Sequence, residues 1–174
     1  MMEQGKITAE ASDTLRKSQI NYDICGESPY DLIRIPVKHL AEIWEFVLPI
    51  VQKGQTANPA MTARDLQEGL LDQSIQMWLV LPQLAQRTRR DIEAVFFTSI
   101  ERDKGEWVLS LYGLGGRNPR EWVMACHEHM HRYARQEDCK RVRMCGRPAW
   151  RRILPGYAVT GTRQGHLVYE RAVE

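Results

Sequence analysis

No apolar run in this 174-residue chain approaches the length of a membrane span. The N-terminus also lacks the apolar core of a secretory signal. Both gaps lead to the expectation of a protein that stays in the cytoplasm of the cell that makes it. The four cysteines, Cys25, Cys126, Cys139 and Cys145, form no C-x-x-C pair. A chain of this length buries a core without covalent staples, so reduced structural thiols are expected rather than a disulfide framework or a zinc cluster. No internal repeat or low-complexity tract is present, which argues against a solenoid or an array. What is there is 43% hydrophobic and 26% charged, the makeup of one globular domain.

The net charge of +2 conceals an uneven distribution. Residues 1–86 carry seven Lys and Arg against eleven Asp and Glu, whereas residues 87–174 carry seventeen against eleven. Between Arg117 and Arg152 the ratio is ten to four. Such a basic half could meet a phosphate-bearing ligand, nucleic acid or an acidic protein face, or simply be a solvated surface. Arg87, Arg89, Arg90, Lys140, Arg141, Arg143, Arg147, Arg151 and Arg152 are the candidate nucleic-acid contacts. No aromatic interleaving accompanies them. On the run Lys140–Cys145, alternation puts Val142 and Met144 inward and the basic residues outward.

Residues 1–30 are polar and without sustained period, so they read as an N-terminal arm preceding a single domain over 31–174. Tyr30–Val37 has the pattern of a strand. His39–Lys53 reads as an amphipathic helix with Leu40, Ile43, Trp44, Val47 and Val51 on one stripe. Pro49 should kink or shorten it, and Gly54 should stop it. Thr62 and Asp65 have the spacing of a capping box at the head of a helix over Ala63–Gln73. Strands follow at Ile75–Leu81, Ile92–Glu101 and Trp107–Tyr112, with a tight turn at Arg102–Gly105.

Gly113-Leu-Gly-Gly116 then breaks the strand, and Pro119 opens a helix to about Asp138. A further strand at Lys140–Cys145 leads into a short helix within Gly146–Tyr157. A hairpin of Ala158–Thr162 and Leu167–Ala172 closes the chain. This order predicts an α+β fold: a mixed, mostly antiparallel sheet flanked by helices, with a central βαβ crossover.

The order of elements, the glycine turn Tyr112-Gly-Leu-Gly-Gly-Arg-Asn-Pro-Arg120 and the pair Gly156-Tyr157 resemble the GNAT family of N-acetyltransferases. The endings of the strands, above all Gly-Arg-Pro-Ala-Trp150, look most like GNAT-like proteins encoded by bacteriophages, some of which are carried inside the virion. The resemblance implies that Leu111, Tyr112, Gly113, Gly115, Gly116 and Arg117 would cradle the pyrophosphate of acetyl-CoA. Glycine permits close backbone approach there, and a helix N-terminus favours phosphate. Several residues depart from the family pattern. Ser110 stands where the family has Gln or Arg, and Pro119 removes an N–H. Gly146 or Arg147 replaces an Asn. Ile153 and Leu154 stand where a thiolate-protonating Tyr is expected, so no catalytic residue is assigned.

The expectation is a degenerate member that acts by binding, as a virion or assembly component, with phage structural proteins or a second copy as partner. It would reside in the host cytoplasm and be incorporated into the particle. The alternative is a working acetyl-CoA-dependent N-acetyltransferase.

His127-Glu-His-Met-His131 also spells H-E-x-x-H, the zinc-binding pattern of metalloproteases, where His127 and His131 would be ligands and Glu128 would polarise water. Glu137 and Cys139 are the nearest third ligands. The apolar stripe of this helix runs through Trp122, Val123, Cys126, Met130 and Tyr133, so both histidines should point to solvent. No metal is expected. The tryptophans at 44, 78, 107, 122 and 150 are expected in the core, with Trp150 half exposed.

Overall fold

The computed structural model describes residues 29–55, 61–83, 91–154 and 156–174. Most of the expected N-terminal arm, Cys25, and Arg87, Arg89 and Arg90 lie outside these residues.

Strands β1 (Tyr30–Ile35), β2 (Gln76–Pro82), β3 (Ala94–Asp103), β4 (Glu106–Gly116), β5 (Arg141–Gly146), β6 (Ala158–Arg163) and β7 (His166–Ala172) form one sheet in the order β1-β2-β3-β4-β5-β7-β6. Every neighbouring pair is antiparallel except β4 and β5. The fold is therefore α+β with a single parallel crossover. Helices α1 (Leu40–Gln55) and α2 (Ala63–Leu71) cover one face, and α3 (Pro119–Gln136) covers the other.

Local chemistry accounts for the ends of these elements. Thr62 caps α2 through its side chain, and the Asp65 carboxylate accepts in return from the Thr62 backbone N–H. Both tight hairpins turn on two residues of positive φ, Lys104 and Gly105 in one and Gln164 and Gly165 in the other. Leu66 and Leu70 of α2 are buried, and Leu71 faces solvent.

Helix α1 is not shortened at Pro49, and it runs through Gly54 to Gln55 rather than stopping there. Val47 and Val51 are fully buried on either side of Pro49, and that burial outweighs one lost backbone bond. Gly54 serves contact instead: a Cβ there would lie 3.1 Å from the backbone of Leu114 and Gly115.

The α3 face of the sheet is built around Trp78. Its indole N–H donates to Thr98 Oγ1 at 2.9 Å, and Thr98 donates to the Gln76 amide oxygen. Phe96 stacks beside it, while Tyr133 and His129 meet it edge-on. Trp122 is buried with it, and its N–H donates to the Arg117 carbonyl at 2.7 Å. Trp107 does not join the core. It is 46% exposed, with the Arg102 guanidinium 5.7 Å from its ring centre, because Glu106–Trp107 sits at the hairpin tip beyond the cover of any helix.

Candidate functional site

Strand β4 does not end at its glycines. It continues to Gly116, pairing Val95 with Gly115 and Ala94 with Gly116. The register slips between Val95 and Phe97, so Gly113 and Leu114 bulge opposite the single residue Phe96. Gly113 takes φ +65 there, and a Cβ would sit 2.7 Å from the Phe97 ring. Pairing of β4 with β5 stops at Leu111 and Met144, although both strands go on. The two strands part beyond that point.

On the α3 side, the gap is packed. Leu111, Leu114, Met144, Trp150 and Leu154 belong to one cluster there, and the Trp150 ring lies over Gly146, where a Cβ would be 2.6 Å from it. On the other side lies a cavity of about 290 Å³ lined by Ser110, Tyr112, Glu101, Arg143, Cys145 and Arg163. Ser110 is 5% exposed and its Oγ has no hydrogen-bond partner among the described residues. Burial pushes the Tyr112 hydroxyl up to about 12 and raises the Cys145 thiol, so neither is an activated nucleophile. Arg143 is bound to the carboxylates of Asp103 and Glu170, and Arg141 pairs with Asp103, Glu106 and Glu170. The basic residues of β5 are thus matched by acids of the same face.

The six residues expected to hold pyrophosphate are contiguous along the end of β4, but the turn into α3 is already engaged. The Arg117 N–H donates to the Glu93 carbonyl at 2.9 Å. Its guanidinium grips the Glu93 carboxylate through Nε at 3.0 Å and Nη2 at 3.2 Å. Gly115 faces α1, where a Cβ would lie 2.4 Å from the Ile50 carbonyl oxygen. Asn118 adopts the left-handed region and makes no side-chain cap, and Pro119 has no N–H. In this arrangement, the Arg117 amide is already bonded and its guanidinium is paired with Glu93 at the surface.

The histidines correct another expectation. His131 is 8% exposed and His127 is half-buried; neither points to solvent. Tyr157 folds back over α3 so that its hydroxyl lies 3.3 Å from His127 Nδ1 and 3.1 Å from His131 Nε2. Arg171 of β7 reaches His127 Nε2 at 3.1 Å. A guanidinium only donates, so Nε2 accepts and the ring proton of His127 sits on Nδ1. That proton sits on the nitrogen facing the Tyr157 hydroxyl, which in turn reaches His131. Among the described residues, no group of three His, Cys, Asp or Glu converges as a metal site. Glu128 is exposed, outside the Tyr157 contact. Helical periodicity showed the apolar stripe correctly but gave no sign of the distant Tyr157 and Arg171.

No protein-family model matches the sequence, and no curated protein matches it. Solved structures match its fold. An acetyl transferase from Salmonella typhimurium that modifies the N-terminal serine of a 50S ribosomal subunit protein aligns with a TM-score of 0.55 at 15% identity, over 84% of this chain and 96% of that one. A GNAT-family acetyltransferase from Staphylococcus aureus aligns at 0.55 and 14% identity, over 83% and 99%. FeeM, an N-acyl amino acid synthase from uncultured soil microbes, aligns at 0.57 and 10% identity, over 83% and 88%. The fold is that of GNAT acetyltransferases.

Proposed function

We propose that this GNAT-like chain acts by binding rather than by acetyl transfer, as a component of a bacteriophage particle or of its assembly. The observation that carries this reading is the engagement of Arg117 with Glu93, through both amide and guanidinium, at the turn where a cofactor diphosphate would need them. The absence of a tyrosine at Ile153 and Leu154, just after the Pro148–Arg152 turn, and the packing of Trp150 and Leu154 into the β4–β5 gap point the same way. A diphosphate must displace a bidentate ion pair before it gains its own bonds, which costs affinity.

Calorimetry with millimolar acetyl-CoA is expected to give no saturable heat. A saturable isotherm would overturn the binding-only reading. Mass spectrometry of purified phage particles tests the second half of the proposal, and failure to find the chain in them removes that role.

A second reading, an acetyl-CoA-dependent N-acetyltransferase, is favoured by the cavity beside Ser110, whose buried, unpartnered hydroxyl suits a polar group of a ligand. Release of free CoA in the presence of an amine acceptor would establish it.

A further inference from the structure

The hydroxyl of Ser110 is buried and has no hydrogen-bond partner among the described residues. Burial takes away the bonds it would make to water, and the fold returns none of them. Along β4, Leu111 packs on the α3 side, whereas Tyr112 packs against the α1 side. Side chains alternate along a strand, so Ser110 shares the face of Tyr112 and looks into the cavity of about 290 Å³ there. That is roughly twice the size of a dry cavity that holds benzene, about 150 Å³.

The other polar side chains of the wall have partners or reach water. Arg143 is held by Asp103 and Glu170. Glu101 accepts from the Ser99 hydroxyl at 3.1 Å, and the Tyr112 hydroxyl is hydrogen-bonded to Ser99. Arg163 is exposed. Burial raises the Cys145 thiol, which Arg163 and Arg143 act to lower and Glu101 to raise, so charges of both signs bear on the same space. An ion of either sign entering it would lose its hydration and meet a like charge as well as an opposite one. Met61, Leu111 and Met144 supply apolar wall.

We propose that this cavity binds a small uncharged molecule, an apolar body of about ten non-hydrogen atoms carrying one hydroxyl or carbonyl that bonds to Ser110 Oγ. A serine hydroxyl both donates and accepts, so it serves either group. One unsatisfied hydroxyl in an otherwise matched wall calls for one polar group on the ligand. Binding here requires neither acetyl transfer nor a phage particle.

Four benzene derivatives of similar shape are the probes: benzyl alcohol, toluene, the cation benzylammonium and the anion benzoate. They are titrated at neutral pH into the full chain with isotope-labelled methionine methyls, in the absence of acetyl-CoA, so the outcome is independent of cofactor binding. Benzyl alcohol is expected to shift the Met61 methyl saturably, with half-saturation at about 1 mM. The methyl of Met124, exposed on α3 across the sheet, should not move. Toluene should bind about tenfold more weakly, the worth of one hydrogen bond to an unsatisfied hydroxyl. Ser110→Ala should weaken benzyl alcohol by the same factor and leave toluene no weaker. The hydroxyl it removes has no partner, so this variant is expected to fold. No saturable Met61 shift up to about 10 mM benzyl alcohol would overturn the proposal. So would affinity for either charged probe equal to that for benzyl alcohol, or benzyl alcohol affinity that Ser110→Ala leaves unchanged.

Discussion

Gly115→Ala is expected to destabilise the chain by about 3 kcal/mol or more, at the upper end for an overpacked core position. The added methyl would sit 2.4 Å from the Ile50 carbonyl oxygen, 3.2 Å from its carbon and 3.3 Å from the Gly54 nitrogen. All three are backbone atoms of α1, so no rotamer change relieves the clash. The helix would have to lift from β4, and Val47 and Val51 lie on that contact and are fully buried. Gly161→Ala is the control: nothing lies within 4 Å of its Cβ position and its φ is not positive. Its effect should be within about 0.5 kcal/mol. Urea unfolding midpoints measure both. If the two substitutions cost the same, the close approach of helix to strand is not what position 115 requires.

Acid should weaken this protein earlier than its carboxylates alone would. His129 and His131 are each lowered from the ordinary 6.5 to about 4, in both cases chiefly by burial. Arg132 adds to this at His129, and His127 and two arginines add to it at His131. Both groups are therefore neutral in the folded chain at a pH where the unfolded chain already protonates them. The sign follows: stability is complete above the unfolded value of 6.5, declines as pH falls below it, and levels off near the folded value of about 4. Each histidine accounts for a loss of order 3 kcal/mol across that window.

Asp103 and Glu170, whose values are lowered by Arg143, give up their contribution only below the ordinary carboxylate values of 3.8 and 4.5, so the two processes separate. Unfolding free energies measured between about pH 7 and about pH 5 should fall steeply, and His129→Gln should make the slope shallower. A flat profile over that range would show that neither imidazole is held neutral.

The sequence carried the element order, the two hairpin turns, the capping box at Thr62 and the apolar stripe of α3. Each of these depends on residues within a few positions of one another. What it could not carry was which distant piece of chain arrives at a given spot. Gly115 reads as a place of close backbone approach, and it is one: α1 lies against it. Arg117 reads as a cation at a helix start, and its partner Glu93 is 24 residues away. His127 and His131 fall beside the apolar stripe, so periodicity sends them outward. Tyr157 and Arg171, from beyond β5, enclose them. The GNAT-like architecture was legible because topology follows from local pattern. The occupancy of the turn was not, because it is settled by tertiary contacts.

The single parallel pairing of the sheet has a mechanical consequence. Among the described residues, Val108–Leu111 against Arg141–Met144 is the one ladder that joins the antiparallel group β1-β2-β3-β4 to the antiparallel group β5-β7-β6. The chain between its two strands is α3, just as α1 and α2 lie between β1 and β2. This ladder has the fewest paired residues of the sheet's ladders, four. The two groups meet along this short seam, and α3 packs on the sheet through Trp122 and Met130. Amide exchange along Val108–Leu111 and Arg141–Met144 is where separation of the two groups would first be seen.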